Sequence, residues 1–166
     1  DNLRVPSGVS YMLENREIMM KMFPDLFHSN RVLRVDDYPT RLLQTLMSLA
    51  PKKCESSVPT VVLLTPGHLN SAYYEHTFLS DQMGIEMVEA QDLFVENDFL
   101  YMKTVDGPKK IDVVYRRIDD DYLDPLAYNP NSVIGVPGIT HVYKTGGVNI
   151  CSVPGAGIAD DKAVYI

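Results

Sequence analysis

The sequence lacks the short patterns that mark several common enzyme classes. Its 166 residues include two cysteines, Cys54 and Cys151, which are too few and too far apart for a disulfide scaffold or a metal knuckle. The histidines show no HExxH or other metal spacing, and the serines show no GxSxG elbow. These absences argue against a zinc site and a serine hydrolase, and they favour buried or incidental thiols over a catalytic cysteine.

Positive charge and long apolar runs are also scarce. Lys and Arg number 15 against 22 Asp and Glu, giving a formal net charge of −7, which disfavours a nucleic-acid partner or an anionic membrane surface. No apolar run reaches the roughly 18 residues of a membrane span, and no signal-peptide pattern is present. We therefore expect a cytoplasmic protein with no nucleic-acid and no membrane partner. Anionic nucleotides remain possible ligands, because they need only a local basic pocket.

The order of the predicted elements indicates the fold class. Residues 60–64 form a β-branched and apolar run, which is typical of a parallel strand covered by helices on both faces. A predicted helix at 71–83 and a strand at 85–88 complete one right-handed crossover unit. Further strands are predicted at 111–115 and 148–151, and a hairpin joins 93–95 to 100–102. We predict an α/β fold: an open, mostly parallel Rossmann-like sheet flanked by helices, with a small β-hairpin.

Two helices are predicted before the first strand. The first covers 11–23, carries a methionine-rich apolar face and is stopped by Pro24. We expect this face to pack in the core, although methionines also suit an adaptable interface. The second helix has Pro39 in its first turn and ends before Pro51.

Unusual residues follow three of the predicted strands, where ligands bind in open parallel sheets. The loop at 65–71 lacks the Walker and dinucleotide glycine patterns, so a βα loop with Asn70 or Ser71 as helix cap competes with an anion site. At 154–162, Gly155 and Gly157 permit close backbone approach, and Lys162 either meets an anion or pairs with neighbouring aspartates. We predict that Gly67, Arg116 and Gly155 share one edge of the sheet.

The segment at 116–121 is the most heavily charged of the three. Arg116 and Arg117 could grip a carboxylate or phosphate, and Asp119, Asp120 and Asp121 could hold a divalent cation or a substrate amine. The alternative is a solvated loop whose arginines and aspartates neutralise one another. His76 beside Glu75 is a weaker candidate in the preceding helix.

The chain opens with DNLRVPSG, in which an acid and an amide precede an arginine and a Pro-Ser-Gly turn. Oxygen donors beside a cation suit a metal-bound phosphate better than a hydrophobic core. Because there is no initial Met, leader or helix cap, we expect the segment to be the second half of a longer motif.

These stretches together resemble the circularly permuted type 2 ATP-grasp family, relatives of the glutathionylspermidine synthetase-like carboxylate–amine ligases. The matching stretches run along nearly the whole chain; they are DNLRVPSGVSYMLENR, PTVVLLTPG, NSAYYEH, VVYRRIDDDYLDP, GVPGI and GAGIADDKAVY.

The resemblance implies a role for each end of the chain. Asn2 would donate a carbonyl oxygen to Mg²⁺, Arg4 would stabilise the transferred phosphoryl group, and Lys162 would approach ATP phosphate. Substrate contacts would come from Ser7 and Gly8 and from the 119–121 aspartates, while Gly155 and Gly157 would lie near the nucleotide. Arg116 and Arg117 would act beside them as catalytic residues on the substrate side.

By the same resemblance, residues 1–55 hold the metal-motif segment with two linking helices, and residues 56–166 form the pre-ATP-grasp α/β domain. The parent would be an ATP-dependent ligase that activates a carboxylate as an acyl phosphate and joins it to an amine or peptide. Because the adenine lid and most metal ligands are missing, the chain is expected to be an inactive piece that needs the remainder of its parent. The alternative is a non-catalytic binding or interaction module, either ATP-grasp-derived or Rossmann-like.

Overall fold

The computed structural model describes residues 6–159, 161 and 163. The helices are α1 Val9–Met22, α2 Pro24–Ser29, α3 Tyr38–Ser48, α4 Tyr73–Met83, α5 Asp120–Leu123, α6 Ile139–Lys144 and α7 Ala156–Ala159. The strands are β1 Val61–Leu64, β2 Glu86–Val88, β3 Leu93–Glu96, β4 Phe99–Thr104, β5 Gly107–Ile111, β6 Val113–Arg116 and β7 Asn149–Cys151. Within this described part, no helix is both long and apolar enough to cross a bilayer.

A four-stranded parallel sheet forms the centre of the fold, in the order β2-β1-β6-β7. A separate three-stranded antiparallel sheet, β3-β4-β5, lies between β2 and β6 in the chain. The prediction of an α/β fold with a mostly parallel sheet is therefore confirmed. The predicted hairpin is also present as β3 and β4, and β5 extends it by one strand.

Side chains alternate along the strands of the parallel sheet, so apolar residues point to both of its faces. Both faces are covered by other elements. Val61 and Leu63 pack with Leu46 of α3 and Leu79 of α4 on one face. The other face carries Val62, Leu64, Val114 and Ile150, and it packs against residues of the small sheet and α6, namely Leu100, Ile111, Ile139 and Val142. The apolar run at 60–64 was a correct indicator of this two-sided burial.

The expected strand at 111–115 is interrupted at Asp112. Ile111 ends β5 and Val113 begins β6, so the two residues belong to different sheets. Asp112 is buried, and its Oδ2 accepts a hydrogen bond from the Thr60 amide at 2.9 Å. The carboxylate thus anchors the start of β1 at the point where the chain changes sheets.

The expectation that the methionine-rich helix packs in the core was wrong. Ser10 is the buried residue of α1, and Met12, Ile18, Met20 and Met22 are exposed. Pro24 lies in the first turn of α2, so it begins a helix as well as following one, as its fixed φ allows. Helix α1 therefore leaves most of its apolar face uncovered in the described part of the chain.

Candidate functional site

A cleft of about 620 Å³ lies at the carboxyl edge of the parallel sheet. Its lining comes from parts of the chain that are distant in sequence: Ser7, Asn70, Ala72, His76, Arg116, Arg117, Ile118, Asp119, Asp120, Asp121, Ser152, Gly157, Ile158 and Asp161. Strands β1, β6 and β7 run parallel and end at this edge, so the loops after them meet here. The prediction that Gly67, Arg116 and Gly155 share an edge is confirmed, because they lie at or just after the ends of β1, β6 and β7.

Arg116 ends β6 and is almost fully buried. Its guanidinium donates to the carbonyls of Ile118 at 2.7 Å, Ser152 at 2.6 Å and Val153 at 3.2 Å, and it forms an ion pair with Asp120. These acceptors lie on the loops after β6 and β7. The side chain therefore ties the two loops together beneath the cleft, and most of its donors are already used.

Arg117 points toward the opening turn of the chain. Its Nη2 donates to Glu75 Oε1 at 2.5 Å, and its Nη1 donates to the Pro6 carbonyl at 3.1 Å and to the Tyr115 hydroxyl at 3.3 Å. The Arg117 side chain is 5% exposed and that of Glu75 is 2% exposed. The charge of this predicted catalytic residue is thus balanced within the fold.

Glu75 joins the opening turn to helix α4. Its Oε2 accepts hydrogen bonds from the amide of Ser10 at 3.4 Å and from the Ser10 hydroxyl at 3.2 Å. Burial raises the pKa of Glu75, but the hydrogen bond and charge of Arg117 together with the Ser10 and Gly8 amides outweigh it and hold the pKa below its usual value. Glu75 is therefore a buried carboxylate that stays ionised.

His76 is the next residue of α4, and it is 1% exposed. Its Nδ1 lies 2.9 Å from Thr65 Oγ1, and that hydroxyl accepts a hydrogen bond from the Gly67 amide at 3.2 Å. Burial lowers the pKa of His76 to about 4, and the positive charge of Arg117 acts in the same direction. A neutral imidazole therefore supports the loop after β1 from inside the cleft wall.

Asp120 holds the loop after β7 against the loop after β6. Its Oδ2 accepts a hydrogen bond from the Gly155 amide at 3.0 Å. A Cβ on Gly157 would lie 3.4 Å from the same oxygen, so this glycine also sits beside the carboxylate. The predicted nucleotide-binding glycines and the predicted substrate-binding aspartates are thus neighbours in space.

The predicted helix cap at Asn70 or Ser71 was wrong, because Ala72 is the N-cap of α4 and no side chain of the described residues makes a cap hydrogen bond there. Ala72 precedes the first helical residue of α4, and Asn70 Oδ1 accepts a hydrogen bond from the Ala72 amide at 2.8 Å. Asn70 therefore shapes the turn that leads into the helix, while it also faces the cleft.

The predicted metal and phosphate ligands at the chain ends are Asn2, Arg4 and Lys162, and they lie outside the described residues. Among the residues that are described, no group of three or more His, Cys, Asp or Glu side chains is arranged to hold a metal ion.

Reasoning from the sequence missed three contributors to this region. Glu75 stood out only as a neighbour of His76, because its partner Arg117 is far away in the sequence. Ser10 gave no signal, because its partner Glu75 is also distant along the chain. Ser152 lines the cleft, and its buried hydroxyl has no hydrogen-bond partner in the described part of the chain. An unpaired hydroxyl in a cleft wall is a natural contact for a ligand.

The fold and the cleft define a class: an α/β protein with a cleft where the loops after parallel strands converge. The chain matches over residues 1–166 the profile of a family described as "A circularly permuted ATPgrasp". It belongs to the circularly permuted ATP-grasp family, as the sequence resemblance predicted.

Relatives of known sequence are much longer than this chain. An uncharacterized protein of Synechocystis sp. is 53% identical over 165 residues, which cover 99% of this chain and 34% of the relative. An uncharacterized protein of Mycobacterium tuberculosis is 50% identical, with coverage of 99% and 30%. A Frankia alni protein named "Putative glutamate--cysteine ligase 2-3" is 37% identical, with coverage of 99% and 19%. The chain thus spans about a third or less of the length of these relatives.

Proposed function

We propose that this chain is part of an ATP-dependent carboxylate–amine ligase and contributes the substrate side of its active site. One observation carries the proposal. Ser7 from the opening turn, the aspartates at 119–121, and Gly157 and Asp161 near the other end line a single cleft. A circular permutation joins the ends of the ordinary domain order, so motifs from both ends of the chain should serve one site.

The proposed reaction has two balanced steps. A carboxylate oxygen attacks the terminal phosphorus of ATP, which gives an acyl phosphate and releases ADP. An amine then uses its lone pair to attack the acyl carbon, the phosphate leaves with the bonding electrons, and the amine loses a proton to give the amide. In this proposal ATP supplies the phosphoryl group. Asn2 and residues of the longer protein would hold the Mg²⁺ that offsets the charge of the ATP phosphates.

The charge of the cleft supports an amine as its ligand. Arg116 is paired with Asp120, and Arg117 is paired with Glu75, so neither guanidinium offers an unbalanced positive charge. In the described part of the chain, Asp121 lines the cleft without an ion-pair partner. The cleft walls therefore favour an ammonium group or a cation over a second carboxylate.

The proposal assigns a different role to each of two parts of the chain. Residues 1–55 would carry the metal motif and its linking helices, and residues 56–166 would form the pre-ATP-grasp domain. Since Ser7 lies in the cleft formed mainly by later residues, the two parts would act together. We expect the 166 residues alone to be inactive, and the relation to glutathionylspermidine synthetase-like enzymes points to an amino acid or peptide substrate.

The test is ATP turnover by the full-length protein. Phosphate release is measured against a panel of amino acids and peptides, crossed with a panel of amines, and hydroxylamine is added to trap an acyl phosphate as a hydroxamate. Asn2→Ala and Arg4→Ala should each lower turnover by about a hundredfold or more. The matched controls are Asn131→Ala and Arg34→Ala, because these side chains are exposed and do not line the cleft.

Two results would contradict the ligase proposal. One is the absence of phosphate release with every acid and amine pair. The other is equal turnover in the Asn2 and Arg4 variants. Ligand binding by calorimetry without turnover would favour the non-catalytic binding module instead.

A further inference from the structure

The buried ion pair between Glu75 and Arg117 connects three parts of the fold. Glu75 lies in the first turn of α4, Arg117 follows β6, and both contact the segment from Pro6 to Ser10, which leads into α1 and includes its first two residues. Arg117 holds the Pro6 carbonyl at 3.1 Å, and Glu75 holds the amide and hydroxyl of Ser10. One ion pair therefore holds both ends of the Pro6–Ser10 segment.

Net stability gives a weak reason for this arrangement. Removing two charges from water carries a large free-energy cost, and a buried pair is often no more stabilising than an apolar pair of similar size. The better-supported use of such pairs is to fix one geometry. Here the fixed geometry is that of a segment whose helix, α1, is otherwise largely exposed.

The backbone of the turn matches this role. Gly8 precedes α1 with φ of 86°, a left-handed conformation that side chains rarely adopt. This reversal lets Ser7 line the cleft while Ser10, three residues later, is fully buried against Glu75. A small displacement of Ser10 would therefore move Ser7 relative to the cleft.

We propose that Glu75 and Arg117 are positioning residues, which hold the Pro6–Ser10 turn in place and thereby set where the opening segment meets the cleft. The consequence for catalysis rests on the proposed function, since it assigns Asn2 and Arg4 to magnesium and the phosphoryl group. The consequence for the turn itself depends only on the contacts described above.

The experiment compares Glu75→Gln and Arg117→Met with Asp112→Asn in the full-length protein. Asp112 is a suitable control because it is also a buried carboxylate that accepts a backbone amide hydrogen bond, but it lies at the opposite end of β6. Hydrogen exchange of the Ser10 and Met12 amides reports on the turn, and exchange in β1 reports on global stability.

Both variants of the pair should speed exchange at Ser10 and Met12 by about tenfold or more relative to β1. Asp112→Asn should change exchange in β1 without this selective effect. Arg117→Lys keeps the positive charge and should restore part of the protection. Equal exchange at Ser10 in wild type and Glu75→Gln would overturn the proposal, and so would an equal selective effect in Asp112→Asn.

A kinetic arm separates this proposal from the proposed function. If the turn positions the opening segment, the KM for magnesium–ATP should rise by about tenfold in Glu75→Gln, with a smaller change in the KM for the amine. An unchanged ratio of the two KM values would contradict the catalytic consequence. If the wild type shows no ATP turnover, the ligase proposal fails, and the exchange data still decide the role of the pair.

Discussion

Arg116 and Asp120 form an ion pair that joins the end of β6 to the first turn of α5. The same guanidinium donates to the carbonyls of Ser152 and Val153, and the same carboxylate accepts from the Gly155 amide. Each partner thus reaches across to the loop after β7. The floor of the cleft is therefore formed by a network of polar contacts between the loops that follow β6 and β7.

Arg116→Met should destabilise the protein by about 3 kcal/mol, because it leaves Asp120 and buried carbonyls without their donor. Urea denaturation followed by circular dichroism measures the loss. Arg34→Met is the control, since Arg34 forms an exposed pair with Asp36, and its denaturation midpoint should stay close to wild type. A loss below about 1 kcal/mol for Arg116→Met would show that the network is not structural.

His76 should make stability depend on pH. Burial lowers the pKa of His76 to about 4, against about 6.5 in the unfolded chain. The unfolded state therefore binds the proton first, so the stability present above about pH 6.5 falls as pH drops toward 4. Between about pH 7 and 5 the expected loss is about 2 kcal/mol.

The measurement for His76 is urea unfolding at several pH values in that window. His76→Gln should show a much flatter pH dependence, since glutamine does not titrate there. The exposed His68 provides the control, and His68→Gln should keep the wild-type slope. Parallel curves for wild type and His76→Gln would exclude this histidine as the cause.

The exposed face of α1 predicts tolerance to polar substitution. Met22 is 65% exposed, so Met22→Gln should change the free energy of unfolding by less than about 0.5 kcal/mol. Leu79→Ala in α4 is the comparison, because Leu79 is 1% exposed and its truncation should cost about 2–5 kcal/mol. Chemical denaturation of both variants tests the contrast, and a large loss for Met22→Gln would place α1 in a packed core after all.

Gly147 should not accept a side chain. A Cβ there would lie 1.9 Å from the Asp98 carbonyl oxygen and 2.9 Å from a Val142 methyl group. Gly147→Ala should therefore cost about 2 kcal/mol or more, seen as a lower melting temperature. Gly157→Ala is milder, since its Cβ would meet the nearest atom at 3.4 Å. Equal melting temperatures for the two variants would contradict the close approach.

The sequence predicted the parallel sheet because its strands carry a local signal. The apolar run at 60–64 and the crossover to 85–88 reveal two-sided burial without any knowledge of distant partners. The same reasoning failed for α1. Its methionines lie at helical spacing and predicted a core face, but the structure leaves that face exposed. Periodicity shows that a helix has an apolar face, but it does not show what covers that face.

The site was predicted only in outline for a related reason. Charged residues after β6 marked the correct edge of the sheet, and the family resemblance added the chain ends. The pairing of Arg116 with Asp120 follows the alternative in which arginines and aspartates of this segment neutralise one another. The partner of Arg117 was not predictable, since Glu75 and Arg117 are separated by 42 positions and Ser10 and Glu75 by 65. The packing of α4 on the sheet brings Glu75 to Arg117 and so decides which carboxylate neutralises this arginine.

The two turns of the small antiparallel sheet differ in how they are held. The turn between β3 and β4 includes Asp98, whose carbonyl touches the backbone at Gly147, just before β7. The turn between β4 and β5 contains Val105, which is fully exposed, and Gly107 there has open space around it. Extra residues, a fluorescent label or an affinity tag should therefore be accepted at 105–106 and rejected at 97–98. Since residues 105 and 106 do not line the cleft, a label at this turn leaves the cleft walls unchanged.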